Sequence, residues 1–271
     1  MSGATAVLLR PIPRRSLAAS FKIYLKEAKY EFLKLMRLPI YSLSTILFPV
    51  MFYVLFGLLL NRGHQQGGVM VATYLLATYG TFGVMGASLF GFGAGLASER
   101  GLGWLEVKRA SPMPPFAYFV AKTAVCMAFS LIIILILLAL GVLFGGVQIS
   151  ITTAVKLIAT LVVGASAFCA MGMAIGYFAG PNSAPAIVNL LYLPMSFASG
   201  LWIPMDMLPR FLQRLAPVLP PYHLGQLALG VVGVPMVHSA FGHWQALAGF
   251  TLICLGIARI GFQRSEDKSF G

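Results

Sequence analysis

Charge is what this sequence has least of. Only 10% of its 271 residues are Asp, Glu, Lys or Arg, where a soluble chain would carry about a quarter. A soluble globular protein is excluded, because 59% hydrophobic residues and a mean hydropathy of +0.87 leave no aqueous exterior to cover the chain. Just seven residues are acidic, Glu27, Glu31, Glu99, Glu106, Asp206, Glu266 and Asp267, and all fall at or beyond the ends of the apolar runs. The carboxylate or charge pair near the membrane midplane that an ion-coupled secondary transporter or channel normally carries is therefore missing, and no inverted repeat links the halves. That class is kept as the alternative reading. Cysteine is scarce as well: Cys126, Cys169 and Cys254 lie far apart in apolar runs without a C-x-x-C, which excludes a disulfide framework and reads them as small buried hydrophobes. No G-x-x-x-x-G-K-[ST] phosphate loop occurs, and the glycines of 91–95 sit inside an apolar run rather than after a strand, so this chain hydrolyses no ATP. No nucleophile, base and orienter can be assembled on one side, which ranks a membrane enzyme last.

What is present is apolar sequence in spanning lengths. Measured against the ~20 residues needed to cross hydrocarbon, six runs qualify, at 40–60, 69–97, 116–144, 153–179, 184–203 and 244–262. The fold class is an all-α membrane protein with six transmembrane helices. The net charge of +12 and pI near 9.9 invite a nucleic-acid reading, but the basic residues collect beside the spans instead of forming a soluble patch, so no nucleic acid is expected. Placing both ends inside puts 15 of the 19 Lys and Arg there: eight before the first span, four at Arg100, Lys108, Arg109 and Lys122, and three in the tail. The four histidines, His64, His223, His238 and His243, fall outside with Arg62, Lys156, Arg210 and Arg214. No histidine pair has close ligand spacing on one helix, so exposed loop histidines are expected rather than a metal site.

Residues 1–39 form a cytoplasmic N-terminal segment. Within it Phe21, Leu25, Ala28, Phe32 and Leu35 recur at steps of three and four among lysines, the pattern of an amphipathic helix lying on the inner leaflet against anionic headgroups. Between the second and third spans, 98–115 packs charges and prolines into a handle that hydrocarbon cannot hold, since each charge there would cost on the order of 2.5 to 3.5 kcal/mol. Its middle, Gly103 to Arg109, has helical composition, and Pro112, Pro114 and Pro115 stop that helix. The flanking runs exceed the hydrocarbon thickness and are expected to carry the handle away from the bilayer.

Along the first span, Phe48, Phe52 and Phe56 form an aromatic stripe that either lines a path or packs on a neighbour, with packing favoured. The fourth span ends in a ladder of Gly172, Gly176 and Gly180, which lets backbones approach closely. The fifth carries Pro185 and Pro194 and ends in Ser199 and Gly200, so a kink is expected. The stretch 204–243 is too apolar for an ordinary loop and too broken by Pro209, Pro217, Pro220 and Pro221 to cross. Two outer-leaflet re-entrant half-helices are expected there, one N-capped by Asp206 and running to Arg214, the other over 222–232.

Glu99-Arg100-Gly101 followed by Leu105 and Pro112 after the second span, together with 197–204 (FASGLWIP), Leu208-Pro209 and Pro220 before the sixth, resembles the permease subunits of type-2 ABC exporters over almost the whole chain. The resemblance implies a connecting helix before the first span, a coupling helix in the handle and paired outer re-entrant helices. It also implies a six-span domain over 40–262, a cytoplasmic tail over 263–271, and both ends inside a bacterial cytoplasmic (inner) membrane. No cofactor is bound by the chain itself, ATP and Mg belonging to a separate ABC ATPase subunit. Glu99, Arg100, Gly101, Trp104, Leu105, Glu106 and Pro112 would carry coupling to that partner. A second copy of the permease is implied, with Phe48, Phe52, Phe56, Pro194, Ser199 and Gly200 at the pathway and dimer interface, and Pro204, Asp206, Pro209 and Pro220 shaping the re-entrant region. The spans, free of carboxylates, suit a hydrophobic, drug-like or lipid-like cargo moved out of the cytoplasm or inner leaflet. The start of the first span lacks the tryptophan motif of polysaccharide exporters, which places the resemblance nearer the drug and lipophilic-compound branch.

Overall fold

The structure, a computed structural model, describes residues 17–61, 63–66, 68–111, 113–114 and 116–267. Pro112, one of the expected coupling residues, lies outside the described residues, as do 1–16 and 268–271. The sequence folds into helices almost throughout. Helix α1 (Leu17–Met36) precedes α2 (Pro39–Phe52), whose first turn uses Pro39 where a missing N–H costs nothing. Pro49 lies inside α2, and beyond it the helix widens into a π-helical stretch, Tyr53–Leu60. A two-residue hairpin, β1 (Gln65–Gln66) against β2 (Val69–Met70), turns the chain back with Gln65 opposite Met70.

The second span is the longest, running from α3 (Val71–Ser88) through a π-helical stretch, Leu89–Ala94, into α4 (Gly95–Gly101). It is also the centre of the molecule: 94% of its apolar window is buried inside the protein, against 22% for the first and last spans. Around it stand α6 (Ala117–Phe144), α7 (Ile151–Phe178), the shorter α8 (Ala184–Ala198), and, at the end of the chain, α11 (Ala240–Asp267). Short α5 (Trp104–Ala110) forms the handle, and α9 (Arg210–Leu215) and α10 (Pro220–Val231) fill the stretch before the last span. Helix α10 packs on α3, α7 and α11.

The long spans begin within two residues of the sequence expectation except the last, whose helix starts four residues earlier. The difference lies in the fifth. Among the described residues five helices are long and apolar enough to cross a membrane, whereas α8 has 15 residues, or roughly 22 Å at 1.5 Å per residue, less than the ~30 Å of hydrocarbon. The chain leaves helical geometry at Ser199 and Gly200, where Gly200 takes φ +73°, a conformation glycine adopts without a Cβ clash.

Glycine packing follows the ladder rule. A Cβ on Gly172 would lie 2.8 Å from the Cβ of Phe92 and 3.1 Å from the backbone N of Gly93, and one on Gly176 would lie 2.8 Å from the Cβ of Leu96. The ladder therefore seats the chain's own second span, while Gly180 lies beyond it, in the turn after α7. The aromatic stripe also packs within the chain. Phe52 meets Trp202 at 4.5 Å between ring centroids, Phe48 meets Phe82 at 5.8 Å, and Phe56 stacks on Phe52 at 6.0 Å.

Two expectations are corrected in the outer region. Asp206 caps no helix: it sits exposed in a single 3-10 turn, Met205–Met207, and α9 starts at Arg210 with Pro209 as its N-cap residue. Leu208 and Pro209 take extended backbone, which breaks the chain between the turn and α9. The histidines are not all exposed loop residues. His64 and His238 are exposed, but His243 lies inside α11 at 1% exposure and pairs with His223 of α10. Helix contact between segments twenty residues apart brought together what linear spacing kept separate. Among the described residues no group of histidine, cysteine or carboxylate side chains is arranged to hold a metal ion.

Candidate coupling site at the charged end of the bundle

At the end of the bundle where the second span closes, six charged side chains meet. Glu27, Glu31 and Lys34 come from α1, Glu99 from α4, Lys108 from α5 and Lys122 from α6. Three carboxylates and three ammonium groups make the cluster neutral. Lys108 reaches Glu27 at 2.7 Å and Glu31 at 2.6 Å, tying the handle helix to α1. Lys34 contacts Glu31 at 2.6 Å and also Glu99, tying α1 to the second span. Lys122, 3% exposed, lies 2.9 Å from Glu99 and 3.9 Å from Glu31, between two carboxylates of different helices. Tyr118 donates its hydroxyl to Glu99 at 2.6 Å and presents its ring face to Lys108, 4.5 Å away.

Burial this deep works against the charged forms, and the partners decide the outcome. Burial pushes the Glu31 carboxyl up, but Lys122, with hydrogen bonds from Lys108 and Lys34, more than offsets it and holds the group below its ordinary range. Burial pushes Lys108 down, yet Glu27 and Glu31 raise it overall. Glu31 and Lys108 are thus held ionised. A buried network of this sort is a weak source of net stability but a strong constraint on position, since loss of one partner strands the other's charge.

The expected coupling residues divide by the direction they face. Glu99 faces inward, into the cluster. Arg100 turns to the C-terminal end of α7, donating to the carbonyl oxygens of Tyr177 and Ala179, the latter at 2.7 Å, where a cation suits the open carbonyls and the helix dipole. Gly101 lets Pro181 come close, because a Cβ there would lie 2.6 Å from the ring Cγ. Gly103, at φ +73°, starts α5 in a left-handed conformation. Leu105 is buried at 8% and anchors α5 to the bundle. Glu106 is exposed, and so are three apolar side chains: Leu102 at 71%, Trp104 at 55% and Val107 at 62%. The tip of the handle therefore shows an apolar face with an acidic edge, underpinned by the ion cluster.

Family comparison places the chain as a whole. The model of the ABC-2 type transporter family matches residues 27–232, from the acidic turn of α1 to the end of α10. The chain belongs to the ABC-2 type transporter family. A protein of Bacillus subtilis (strain 168), YvfS, whose name describes it as a transport permease, is 26% identical over 207 residues, covering 76% of this chain and 84% of that one. This ABC-2 family member is a multi-pass helical membrane protein.

Sequence reasoning missed five of the six cluster residues as site residues: Glu27, Glu31, Lys34, Lys108 and Lys122. Two signals were available. Glu27 and Glu31 are the lone acids of a lysine-rich helix, four residues apart and so on one face, and Lys122 is the one cation in an apolar helix of 28 residues.

The residues expected at the pathway and dimer interface are dispersed. Phe52 and Phe56 are half-buried in the aromatic cluster, Phe48 is 36% exposed, Pro194 is exposed on α8, and Ser199 and Gly200 are buried. In the outer region Pro204 and Pro209 precede the two short helical turns, and Pro220, buried, opens α10.

Proposed function

We propose that this chain is the membrane subunit of an ATP-driven ABC-2 exporter that moves a hydrophobic or amphipathic compound, drug-like or lipid-like, out of the cytoplasm or inner leaflet. A separate ABC ATPase subunit binds ATP and Mg and docks on the tip of α5. The observation that carries this reading is the contrast at the handle: Leu102, Trp104 and Val107 lie exposed at a tip whose base is pinned by Lys108 to α1 and, through Glu31, Lys34 and Lys122, to Glu99 of the second span. An exposed tryptophan on a rigid mount is a docking anchor. A push on the tip reaches the centre of the bundle directly, because Glu99 ends the helix on which the first, third and fourth spans and α8 pack.

The functional unit contains two permease copies. Helix α8, too short to span alone, lies on the second span and completes the six-helix domain of 40–262, and α9 and α10 dip into the outer leaflet. The apolar faces of α2 and α8, with Leu43, Leu47, Met51 and Leu55 on the first and Leu190 and Phe197 on the second, form the surface between copies. The charged end faces the cytoplasm of a bacterial inner membrane. Reconstitution with the cognate ATPase tests the assignment. Trp104→Ala should fold normally and lose on the order of 2 kcal/mol of ATPase affinity. Transport and stimulated ATP hydrolysis should fall together. Docking and transport equal to wild type would remove the handle from the mechanism.

A further inference from the structure

At the opposite end of the bundle from the ion cluster, where α3 and α7 begin, the rings of His223 and His243 meet at a tilt of 56°, their centroids 5.2 Å apart. His223 Nδ1 lies 2.9 Å from His243 Nδ1, and His223 Nε2 lies 2.9 Å from the carbonyl oxygen of Pro217. These distances fix where the protons are. A carbonyl only accepts, so His223 Nε2 carries a hydrogen. In the neutral ring Nδ1 is then bare and accepts, so His243 Nδ1 is the donor. Neutral His243 is left with a bare Nε2, which is buried and has no partner among the described residues.

Two further protons are possible, and neither fits. The first must go to His243 Nε2, the one free acceptor, and places a donor and a positive charge at a buried point with nothing to receive them. The second would put hydrogens on both Nδ1 atoms across 2.9 Å, which breaks the bond between the rings. Only the neutral pair suits the arrangement. The bond joins α10, which packs on α3 and α7, to the first turn of α11. The titratable groups around it are Tyr222 of α10, whose ring lies 5.5 Å from His223 and 6.0 Å from His243, and exposed His238, 6.0 Å from His243. Among the described residues the charges acting on the pair are those of the three histidines themselves, with none from Tyr74 of α3, Lys156 of α7 or Arg214 of α9. Among the described residues no carboxylate pairs with either ring.

We propose that His223 and His243 form a proton-binding latch between α10 and the last spanning helix, closed when both rings are neutral and released by acid. His223 agrees in sign: burial, and then the charge of His238, hold it below the ordinary histidine range. A histidine depressed in the folded state contributes stability that is fully present above its ordinary pKa and is lost as the pH falls through the folded value. The latch is therefore shut at neutral pH and weakens in mild acid.

Hydrogen exchange of the full chain in lipid nanodiscs tests this, independently of any ATPase or cargo. Corrected for intrinsic rates, protection over 220–232 should fall at least tenfold from about pH 7.5 to about pH 5 in the wild type. It should stay flat in His243→Phe, which keeps a ring of similar size but binds no proton. Should that variant not fold, ¹⁵N-histidine spectra of the wild type at neutral pH decide alone: His223 must show the Nε2–H tautomer and His243 the Nδ1–H tautomer. Protection independent of pH in the wild type, an equal fall in His243→Phe, or both rings protonated on Nε2 would each overturn the latch.

Discussion

Lys122 is the residue on which the charged end turns. It enters α6 in the second turn, and its ammonium group sits 3% exposed between Glu99 and Glu31. Replacing it by methionine keeps most of the side-chain length and removes the charge, leaving Glu31 and Glu99 with only Lys34 and Lys108 as cation partners. Breaking one partner of a buried network costs about 3–5 kcal/mol, so Lys122→Met should lower the unfolding temperature in detergent by many degrees. Adding Glu99→Gln removes one of the stranded charges and should recover a large part of the loss, and thermal melts of the two single variants and the double variant measure that coupling. Additive losses would mean that Lys122 acts apart from Glu99.

Helix α1 owes its place to chemistry that titrates. Its N-terminal apolar residues Phe21 and Leu25 are exposed, at 64% and 56%, whereas Phe32 packs its ring 5.6 Å from that of Phe129 and Leu35 is buried. Only half of the apolar stripe read from the sequence holds α1 to the bundle, and the rest of the hold is ionic. Glu31, held below its ordinary 4.5, contributes above that value and is lost as the pH falls through its folded value. Lys108, held above its ordinary 10.5, contributes below that value and is lost as the pH rises through its folded one. The distance between nitroxide labels placed at Lys29 and Ser111, both exposed, should therefore be narrow and constant between pH 4.5 and 10.5. It should broaden only outside that window. A distance that broadens near neutrality would point to apolar docking of α1 without the ion pairs.

At the scale of the whole molecule, orientation can be read directly. In a variant lacking Cys126, Cys169 and Cys254, a cysteine at exposed Gln65 should react with an impermeant thiol reagent in intact cells, while one at Ser269 should not. The opposite pattern would invert the bundle. Five of the six spans, the handle helix and the packing role of Gly172 and Gly176 were legible in the sequence because each rests on local composition: apolar length, proline stops, small residues at every fourth position. The ion cluster and the histidine pair were not, because Glu31 meets Lys108 and His223 meets His243 only through helix packing. Asp206 failed for a local reason, since Pro209 lies between it and the helix it was expected to cap.

The π-helical stretch Leu89–Ala94 joins the aromatic centre of the molecule to its charged end. A wide turn holds one residue more than an α-turn, so every side chain beyond it is rotated about the helix axis by about 100° relative to an unbroken α-helix. Glu99 thus meets Lys34, Lys122 and Tyr118 by virtue of an angular offset set five residues earlier. Gly91 and Gly93 give that stretch two positions with no side chain to resist rewinding, beside the buried Leu89 and Phe92. The second span is therefore a shaft with a phase shift built into it: taking up or releasing one residue of slack there would swing Glu99 around the axis while Phe82 and Tyr79 stayed locked in the aromatic cluster. Torque at one end and grip at the other are separable by a single turn of backbone.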